Sequence, residues 1–393
     1  MTQKAVVLQS GGSTAVINQS LAGVIEETKK SRKFDVLYGS KFGILGILNE
    51  KFIDLSSVSK GELAKLKQTP SSALGSCRHK LSLAETRQVV ETLRKKKIDS
   101  LFFIGGNDSA ETGLALLEIS KQLRYDLQII GIPKTIDNDL PGMDHAPGFG
   151  SVARFFAIST QEASFDTRAI RFSDPVKIIE TMGRNSGWIV AAASLAKKKP
   201  EDGPHLLYFP ERPFSETQFI EDVQETYQKY GYAVIVISET IRNAKGERIG
   251  KAQKQIAKDR FGHPYVEGAA QYLCSLVEAQ LKIRARFDKP GTIQRMSLPY
   301  ISAVDQKEAF QCGVQAVKFA LEGKSGVEVA MKRVSNRPYK IKYEAIPISE
   351  VAGREKTLPS SFINRAGNFV TGKFRDYALP LVGGPFPDYK FFV

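Results

Sequence analysis

The feature that most constrains the fold of this chain is a repeated unit in which a short apolar run ends in a polar turn and a helical pattern follows. Residues 100–104 run into Gly105-Gly106, and residues 127–132 run into Pro133-Lys134. Short buried strands that alternate with helices predict an α/β fold with doubly wound, mainly parallel sheets. Polar residues that follow such strands reach the carboxyl edge of the sheet, where open α/β folds bind their ligands.

The same alternation extends over most of the chain. Ser82 and Glu85 have the spacing of a capping box, which predicts that a helix begins there. The predicted strands are residues 4–9, 100–104, 127–132, 176–180, 206–209 and 233–238, and the predicted helices are residues 16–29, 82–96, 109–123, 149–167, 185–198, 217–230, 266–284 and 305–322. Residues after 338 have weaker periodicity and are predicted to be irregular. A length of 393 residues exceeds one ordinary core, so two α/β domains are expected.

The net charge of +14 narrows the function classes without deciding among them. The basic runs at residues 94–97 and 197–199 fall at predicted helix ends, where cations complement the helix dipole. No sequence motif of a nucleic-acid-binding fold accompanies them. A solvated basic surface is therefore the first interpretation, attraction of small polyanionic substrates the second, and nucleic-acid binding the least favoured.

The cysteine and hydropathy patterns favour a cytoplasmic protein. Cys77, Cys274 and Cys312 are scattered, which indicates a reducing compartment and neither a disulfide framework nor a zinc site. Residues 1–8 lead directly into a strand pattern and predict no signal peptide. The longest apolar stretches, such as residues 188–193, are far too short to cross a membrane.

The strongest chemical signal is the stretch that follows the predicted strand at 127–132. It brings Lys134, Thr135, Asp137 and Asp139 into six positions. Carboxylates beside an ammonium group suit work on a phosphorylated substrate, because one group accepts a proton while another offsets phosphate charge. A plain charged turn does not explain why so many functional groups follow an apolar strand.

Two glycine loops and one arginine motif offer further phosphate chemistry. Gly11-Gly12 allows close approach of a phosphate before a helix N-terminus, although a simple tight turn is an equal alternative. In the second loop, the oxygens of Asn107 and Asp108 suit a magnesium ion that bridges phosphates. The alternative is that Asp108 or Ser109 caps the following helix, and both can hold. Arg184, after the strand at 176–180, suits a clamp on a transferring phosphoryl group, but alone it is typical of a surface arginine.

Together these residues resemble the phosphofructokinase family, from residue 4 to about residue 324 and in the family's order. The Thr-Ile-Asp-Asn-Asp and Met-Gly-Arg motifs are highly specific as a pair. The matching segments are residues 74–78, 105–109, 133–139, 182–188, 237–239 and 291–295.

The resemblance implies transfer of a phosphoryl group to the 1-hydroxyl of fructose 6-phosphate, with Mg²⁺, in a cytoplasmic enzyme of glycolysis. It implies two doubly wound domains with the active site in the cleft between them. The expected domains are a phosphoryl-donor domain at 1–147, completed by about 293–345, a sugar-phosphate domain at 148–292, and a C-terminal extension at 346–393. A homodimer or homotetramer with shared active sites is expected.

The resemblance also implies a role for each matching residue. Asp137 would be the general base for the sugar hydroxyl, and Arg184 would neutralise charge on the transferring group. Thr135, Ile136 and Asp139 would hold the loop and substrate. The other expected sugar-site residues are Met182, Gly183, Glu239, Arg286, Thr292 and Arg295, with Arg286 usually reaching in from a neighbouring subunit. The expected donor-site residues are Gly11, Gly12, Arg78 and Gly106, and the metal candidate is Asn107.

Asp108 and Lys134 indicate which phosphoryl donor the chain uses. Both stand where ATP-using relatives have glycine. A carboxylate at 108 would crowd and repel the inner phosphate of a nucleotide, whereas an ammonium at 134 can bind free pyrophosphate and stabilise it as a leaving group. The pair resembles the pyrophosphate-dependent branch, whose reaction is expected to be reversible. Ala22 and Glu26 occupy the places of effector arginines, so little nucleotide regulation is expected.

Some positions depart from the family pattern. Asn107 replaces an aspartate that binds magnesium, which predicts weaker binding, and Thr292 replaces a histidine on the sugar phosphate. Pro175 stands where a second inter-subunit arginine is expected, and the candidates to substitute for it are Lys177, Arg171 and Arg168.

Three alternatives stay open at this stage. Two are enzymes of the same class: an ATP-dependent phosphofructokinase and a kinase of a related sugar phosphate such as sedoheptulose 7-phosphate. The third is a non-catalytic regulatory paralogue or basic scaffold. Against it, Asp137 and Arg184 are intact.

Overall fold

A computed structural model describes residues 3–250, 257–258, 264–265 and 268–392. Its strands are β1 Gln3–Gln9, β2 Phe34–Ser40, β3 Phe52–Asp54, β4 Ser100–Gly105, β5 Gln128–Pro133, β6 Val176–Thr181, β7 Leu206–Tyr208, β8 Ala233–Ser238, β9 Ala257–Lys258, β10 Pro264–Tyr265, β11 Ala285–Asp288, β12 Val327–Asn336 and β13 Tyr339–Pro347. Its helices are α1 Ile17–Ser31, α2 Ile44–Leu48, α3 Lys60–Lys67, α4 Leu83–Lys95, α5 Asn107–Gln122, α6 Phe149–Ala169, α7 Trp188–Ala192, α8 Glu216–Tyr230, α9 Ala269–Leu281, α10 Ile293–Met296, α11 Ala303–Leu321 and α12 Gly372–Ala378.

The first of two compact units comprises Met1–Phe149 and Arg295–Lys356. Its seven-stranded sheet has the order β13-β12-β5-β4-β1-β2-β3, with parallel pairing from β12 to β2 and antiparallel pairing at both edges. The strand order reverses between β1 and β4, because the chain continues from β1 to β2 on one side and later adds β4 and β5 on the other. Open sheets of this kind bind ligands beyond the carboxyl ends of the strands at such a reversal.

Both faces of this sheet are buried. In β4, Leu101 and Phe103 pack into one apolar cluster, while Phe102 and Ile104 pack into another. This burial on two sides explains why β4 is a continuous apolar run and not an alternating one.

The second unit comprises Gly150–Gln294 and Thr357–Val393, around a four-stranded, fully parallel sheet of order β11-β6-β8-β7. Its C-terminal segment packs on α7. The Trp188 ring lies 5.9 Å from that of Phe362 and 5.3 Å from that of Tyr377, centroid to centroid. The backbone N–H of Leu207 in β7 donates to the carbonyl of Asn368.

The predicted fold class is confirmed: the chain is mixed α/β, with one large, mainly parallel sheet and a second parallel sheet. The capping box predicted from Ser82 and Glu85 is present at the start of α4, with Ser82 accepting from the Glu85 N–H and Glu85 accepting from the Ser82 N–H. No helix in the part of the chain that the structure describes is long and apolar enough to cross a bilayer.

Two predictions of local structure are wrong. The helix predicted at 185–198 is reduced to Trp188–Ala192, because the following N–H groups of Ala193, Ser194 and Leu195 bond three residues back and form turns instead. The segment after Pro338 is not irregular throughout, because Tyr339–Pro347 pairs along β12 and packs alternate side chains on the core. Of the helix predicted at 266–284, residues 266–267 lie outside the described residues and α9 covers the centre.

Candidate functional site

Three loops of the first unit meet beyond adjacent strands β1, β4 and β5. Ser109 Oγ donates to Ser10 Oγ at 2.8 Å, which joins the two glycine loops. Lys134 joins them again: its backbone N–H donates to the Gly105 carbonyl at 2.9 Å, and its Nζ donates to the Gly12 carbonyl at 2.7 Å. The predicted residues Gly11, Gly12, Gly106 and Lys134 therefore lie at one edge of the sheet, at the reversal of strand order.

The ammonium group of Lys134 is buried, and its surroundings act on its pKa in opposite directions. Burial lowers its pKa to about 8, and the cations Arg295 and Arg78 act in the same direction, whereas Asp137 and Asp139 favour the charged form. A buried cation that loses so little of its charge near neutral pH is suited to hold an anion.

A pocket of about 320 Å³ opens beside Gly12. It is lined by Gly11, Gly12, Ser13, Ser71, Ser72, Gly75, Ser76, Cys77, Arg78 and Arg295. Hydroxyl groups and two guanidinium groups dominate this lining, a set that suits phosphate oxygens.

The two glycines of the first loop leave room for cationic side chains, and Gly11 also has a backbone conformation that favours glycine. A Cβ atom on Gly12 would lie 2.8 Å from Nη1 of Arg295 and 3.3 Å from Nη2 of Arg78. Gly11 has a φ of +74°, and a Cβ there would lie 3.3 Å from Nζ of Lys134. The two glycines let three cationic groups approach the loop backbone.

Buried amides and a serine hold the pocket wall in place. Gln9 Oε1 accepts from the Leu74 N–H at 2.9 Å. Asn18 Nδ2 donates to the carbonyls of Thr69 and Ser71, and Ser76 Oγ donates to the Gly11 carbonyl at 2.7 Å.

The sequence interpretation did not select six of the lining residues, namely Ser13, Ser71, Ser72, Gly75, Ser76 and Cys77. The cluster of serines at 71–76 beside Arg78 was the available signal.

The loop after Lys134 carries the predicted base. Asp137 donates its backbone N–H to Thr135 Oγ1 at 3.0 Å, and Thr135 donates its own N–H to the Pro147 carbonyl at 3.1 Å. Ile136 is buried, and the carbonyl of Asp139 accepts from the Lys356 N–H at 2.6 Å. Burial lowers the pKa of Lys134 and of Arg295, and Asp137 lies close enough to both to oppose that lowering electrostatically.

Asn107 and Asp108 form the first turn of α5. The N-cap of this helix is Gly106, without a side-chain hydrogen bond, so the alternative that Asp108 or Ser109 caps the helix does not hold. Asn107 Oδ1 accepts from the Asp108 N–H at 2.9 Å, and the exposed Asp108 carboxylate complements the helix dipole. Within the described residues, no group of three or more His, Cys, Asp and Glu side chains could hold a metal.

In the second unit, the predicted sugar-site residues follow the adjacent strands β6 and β8. The backbone N–H of Met182 donates to Gln294 Oε1 at 3.0 Å, and Gly183 and Arg184 both have left-handed φ angles of +132° and +48°. Glu239 Oε1 accepts from the Arg184 N–H at 3.4 Å. Burial raises the pKa of Glu239.

Glu180 is a buried carboxylate that the sequence interpretation did not select. It lies at the end of β6, bonded to Nζ of Lys289 at 2.7 Å and to the Ala270 N–H at 3.0 Å. Its negative charge adds to the upward shift in the pKa of Glu239. An acid directly after the apolar pair Ile178 and Ile179 was the signal.

The remaining predicted residues lie in different surroundings. Arg286 Nε, on β11, pairs with Asp174 at 2.9 Å, as does Arg284 Nε at 3.0 Å. Thr292 is exposed beside Gly291. Arg295, expected on the sugar phosphate, lies with Arg78 in the pocket of the first unit.

Comparison with known proteins identifies the family of this chain. The family model described as "Phosphofructokinase" matches residues 4–320. Over 390 residues the chain is 40% identical to the pyrophosphate–fructose 6-phosphate 1-phosphotransferase of Rhodospirillum rubrum, covering 98% of this chain and 95% of that protein. It is 34% identical to a sulfofructose kinase of Alkalicoccus urumqiensis, covering 90% of each.

Solved structures give the same assignment. The pyrophosphate-dependent phosphofructokinase of Nitrosospira multiformis has a TM-score of 0.89 and 38% identity to this chain, with 99% of this chain and 94% of that chain covered. The resemblance predicted from the motifs is therefore confirmed, and the chain belongs to the phosphofructokinase family.

Proposed function

We propose that this chain transfers a phosphoryl group reversibly from pyrophosphate to the 1-hydroxyl of fructose 6-phosphate, giving fructose 1,6-bisphosphate and phosphate. The observation that carries the proposal is the buried ammonium of Lys134 on the Gly12 carbonyl, beside a pocket that contains Arg78 and Arg295. Preorganised cations of this kind stabilise the charge that develops on a leaving pyrophosphate or phosphate. The names of the relatives from Rhodospirillum rubrum and Nitrosospira multiformis support the same donor.

Asp137 is proposed as the general base. Asp137 neighbours Lys134 and Arg295. These two cations can hold an anionic substrate beside the carboxylate of Asp137. Thr135 fixes the backbone N–H of Asp137, so the carboxylate projects from a constrained turn.

The sugar phosphate is assigned to the second unit, with Arg184 and Glu239 as the central groups. Arg184 supplies charge, and the buried Glu239 supplies an acceptor for sugar hydroxyls.

Magnesium is proposed to arrive with pyrophosphate. Asn107 would hold it, with the exposed Asp108 carboxylate next in sequence, because oxygen donors of this kind suit Mg²⁺ and the ion usually keeps phosphate and water ligands as well. When bound, the ion would neutralise phosphate charge. The lack of a multi-carboxylate cluster among the described residues fits an ion carried mainly by its substrate.

We also propose a non-allosteric, cytoplasmic homodimer or homotetramer acting in glycolysis. Arg286, at the position where the family resemblance expects an inter-subunit arginine, is half exposed on β11 and paired with Asp174. Light scattering of the purified protein tests the assembly, and a fully active monomer would contradict it.

The donor assignment is tested by measuring fructose 1,6-bisphosphate formation with pyrophosphate or ATP, with sulfofructose as a competing acceptor. We expect activity with pyrophosphate and fructose 6-phosphate. Turnover with ATP but not with pyrophosphate would refute the donor assignment. The variants Asp108→Gly and Lys134→Gly, single and combined, restore the glycines of ATP-using relatives. We expect the combined variant to lose pyrophosphate activity and to gain ATP binding. If neither the single variants nor the combined variant gains ATP binding, steric exclusion of ATP by Asp108 is contradicted.

The role of Asp137 is tested separately. Asp137→Ala removes the base, so kcat should fall ~10²–10⁴-fold with folding unchanged. Circular dichroism provides the folding control, and a variant that keeps most of its turnover would eliminate Asp137 as the base.

A further inference from the structure

The segment from Lys134 to Gly148 is a long loop whose two halves are tied together. Thr135 pairs with Gly148 in an isolated parallel bridge, and Asn138 Oδ1 accepts from the Ala146 N–H at 3.2 Å. The first half carries Asp137, so the position of Asp137 depends on how the second half is held.

The second half is anchored by an ion-pair network centred on His145. Its Nδ1 lies 2.7 Å from Asp144 Oδ2, and its Nε2 lies 2.7 Å from Glu308 Oε2 in α11. Tyr339 donates to Glu308 Oε1 at 2.6 Å, and Arg333 Nη2 donates to Asp144 at 2.9 Å. His145 is only 1% exposed.

Further bonds from the same part of the chain fix the loop backbone. Lys356 Nζ donates to the carbonyls of Met143 and Asp144. Asp305 Oδ1 accepts from the Gly148 N–H at 2.9 Å. The loop that carries Asp137 is thus held by residues that come much later in the sequence.

The ion pairs of this network depend on whether His145 is protonated. Burial opposes the imidazolium, but the two carboxylates outweigh it and raise the pKa of His145 to about 9. Arg333 and Lys356 face Asp144. Tyr339, Tyr343 and Cys312 face Glu308, and burial raises the pKa of each, so they stay neutral. Burial lowers the pKa of Lys356 to about 8. His145 and Lys356 are therefore the two groups in this network that titrate above neutral pH, with His145 the later of the two.

We infer that His145, held as a cation between Asp144 and Glu308, is a positioning residue for phosphoryl transfer, because it fixes the loop that aligns Asp137. It acts through the loop and not on the substrate. The inference rests on the proposed role of Asp137. A displacement of about 1 Å in a reacting group costs roughly 10²-fold in rate.

The first test separates kcat from KM. In His145→Gln the imidazolium is lost, so kcat should fall roughly 10–100-fold while the KM for each substrate changes less than about threefold. The matched control is His205→Gln, which removes a partly buried histidine of the second unit that accepts from the Val234 N–H at 3.0 Å. Both variants are assayed well below their unfolding temperatures, with the donor that the wild-type enzyme accepts, so a wrong donor assignment leaves the test intact.

The second test is the pH profile, which a merely structural role would not move. Wild-type kcat should decline as pH rises through about 9, when His145 loses its proton. In Glu308→Gln one carboxylate is gone, so this decline should shift to lower pH by about one unit or more. Lys134 and Lys356 lose their protons near pH 8 in every variant. His145→Gln should therefore lack only the further decline near pH 9, and His205→Gln should keep it unchanged.

The outcomes decide the inference. It is overturned if kcat of His145→Gln stays within about twofold of wild type, or if kcat and both KM values change as they do in His205→Gln. If His145→Gln does not fold, the comparison of wild type with Glu308→Gln still decides, since an unmoved alkaline limb contradicts the role of His145. Full activity of Asp137→Ala would refute the proposed base and, with it, the alignment of Asp137 by His145. An inactive Asp137→Ala beside a normal kcat in His145→Gln would refute the positioning role alone.

Discussion

At the residue scale, Lys134 combines two functions that oppose each other energetically. Its ammonium is buried against the Gly12 carbonyl, where it can hold a donor anion, yet burial disfavours its charge. Because the folded pKa of about 8 lies below the ordinary lysine value, the charged form destabilises the fold, fully below about pH 8 and less as pH rises toward the unfolded value. A functional group that reduces stability is typical of a binding site.

The charge of Lys134 predicts how pyrophosphate use depends on pH. As pH rises through about 8, the ammonium loses its proton, so kcat/KM for pyrophosphate should fall roughly tenfold per unit beyond that value. In Lys134→Met, kcat/KM for pyrophosphate should be low at every pH and should not fall further above pH 8. Protonation of pyrophosphate itself changes with pH equally for both enzymes, so it does not affect the comparison. Thermal unfolding at neutral pH should show the variant at least as stable as wild type. A step of equal size in the variant would exclude Lys134 as its source.

At the element scale, helices α1 and α11 approach so closely that only glycine fits between them. A Cβ on Gly23 would lie 2.1 Å from the Phe310 carbonyl oxygen, and one on Gly313 would lie 2.1 Å from that of Ser20. In each helix a glycine therefore lies against the backbone of the other helix. This contact packs α11, which carries Glu308, firmly on the sheet.

Gly313→Ala should therefore destabilise the protein, by about 1–3 kcal/mol, because the new methyl group meets backbone that can move only if the helices separate. The control is Gly61→Ala in α3, whose Cβ would have only Ser59 Oγ for a neighbour, at 4.0 Å. That change should be neutral or stabilising by up to about 1 kcal/mol. Chemical unfolding followed by circular dichroism measures both, and equal midpoints would contradict the close-packing argument.

At the scale of the whole molecule, each unit is assembled from two separate stretches of chain. Residues after Thr357 return to the second unit, where Phe374 is fully buried and its ring lies 5.8 Å from that of Phe362. The C-terminal segment is thus part of the core of this unit, next to the only tryptophan, Trp188.

Phe374→Ala should lower the free energy of unfolding by about 3–5 kcal/mol, because it removes a fully buried aromatic side chain. Fluorescence of Trp188 reports the same event, with emission shifted to longer wavelength as water gains access. Phe392→Ala, which changes a side chain that is 90% exposed, is the control and should alter neither quantity. If both variants unfold like the wild type, the segment does not contribute to the core.

Much of the fold could be predicted because its signals are local. The apolar runs of β1, β4, β5, β6 and β8 and the capping box of α4 depend on neighbouring residues only. β12 and β13 were missed because their stability comes from pairing with each other across the chain. The short α7 was overpredicted because a fully buried segment has no polar face to mark where it ends.

By itself, the sequence determined the family, the strand–helix alternation and the chemistry of the loop from Lys134 to Asp139, since residue type and spacing are written directly in the chain. Only the tertiary structure decided that Arg295 lies with Arg78 at Gly12, and that His145 is held by Glu308. These contacts join residues far apart in sequence, so they follow from strand order and helix packing and not from any local pattern.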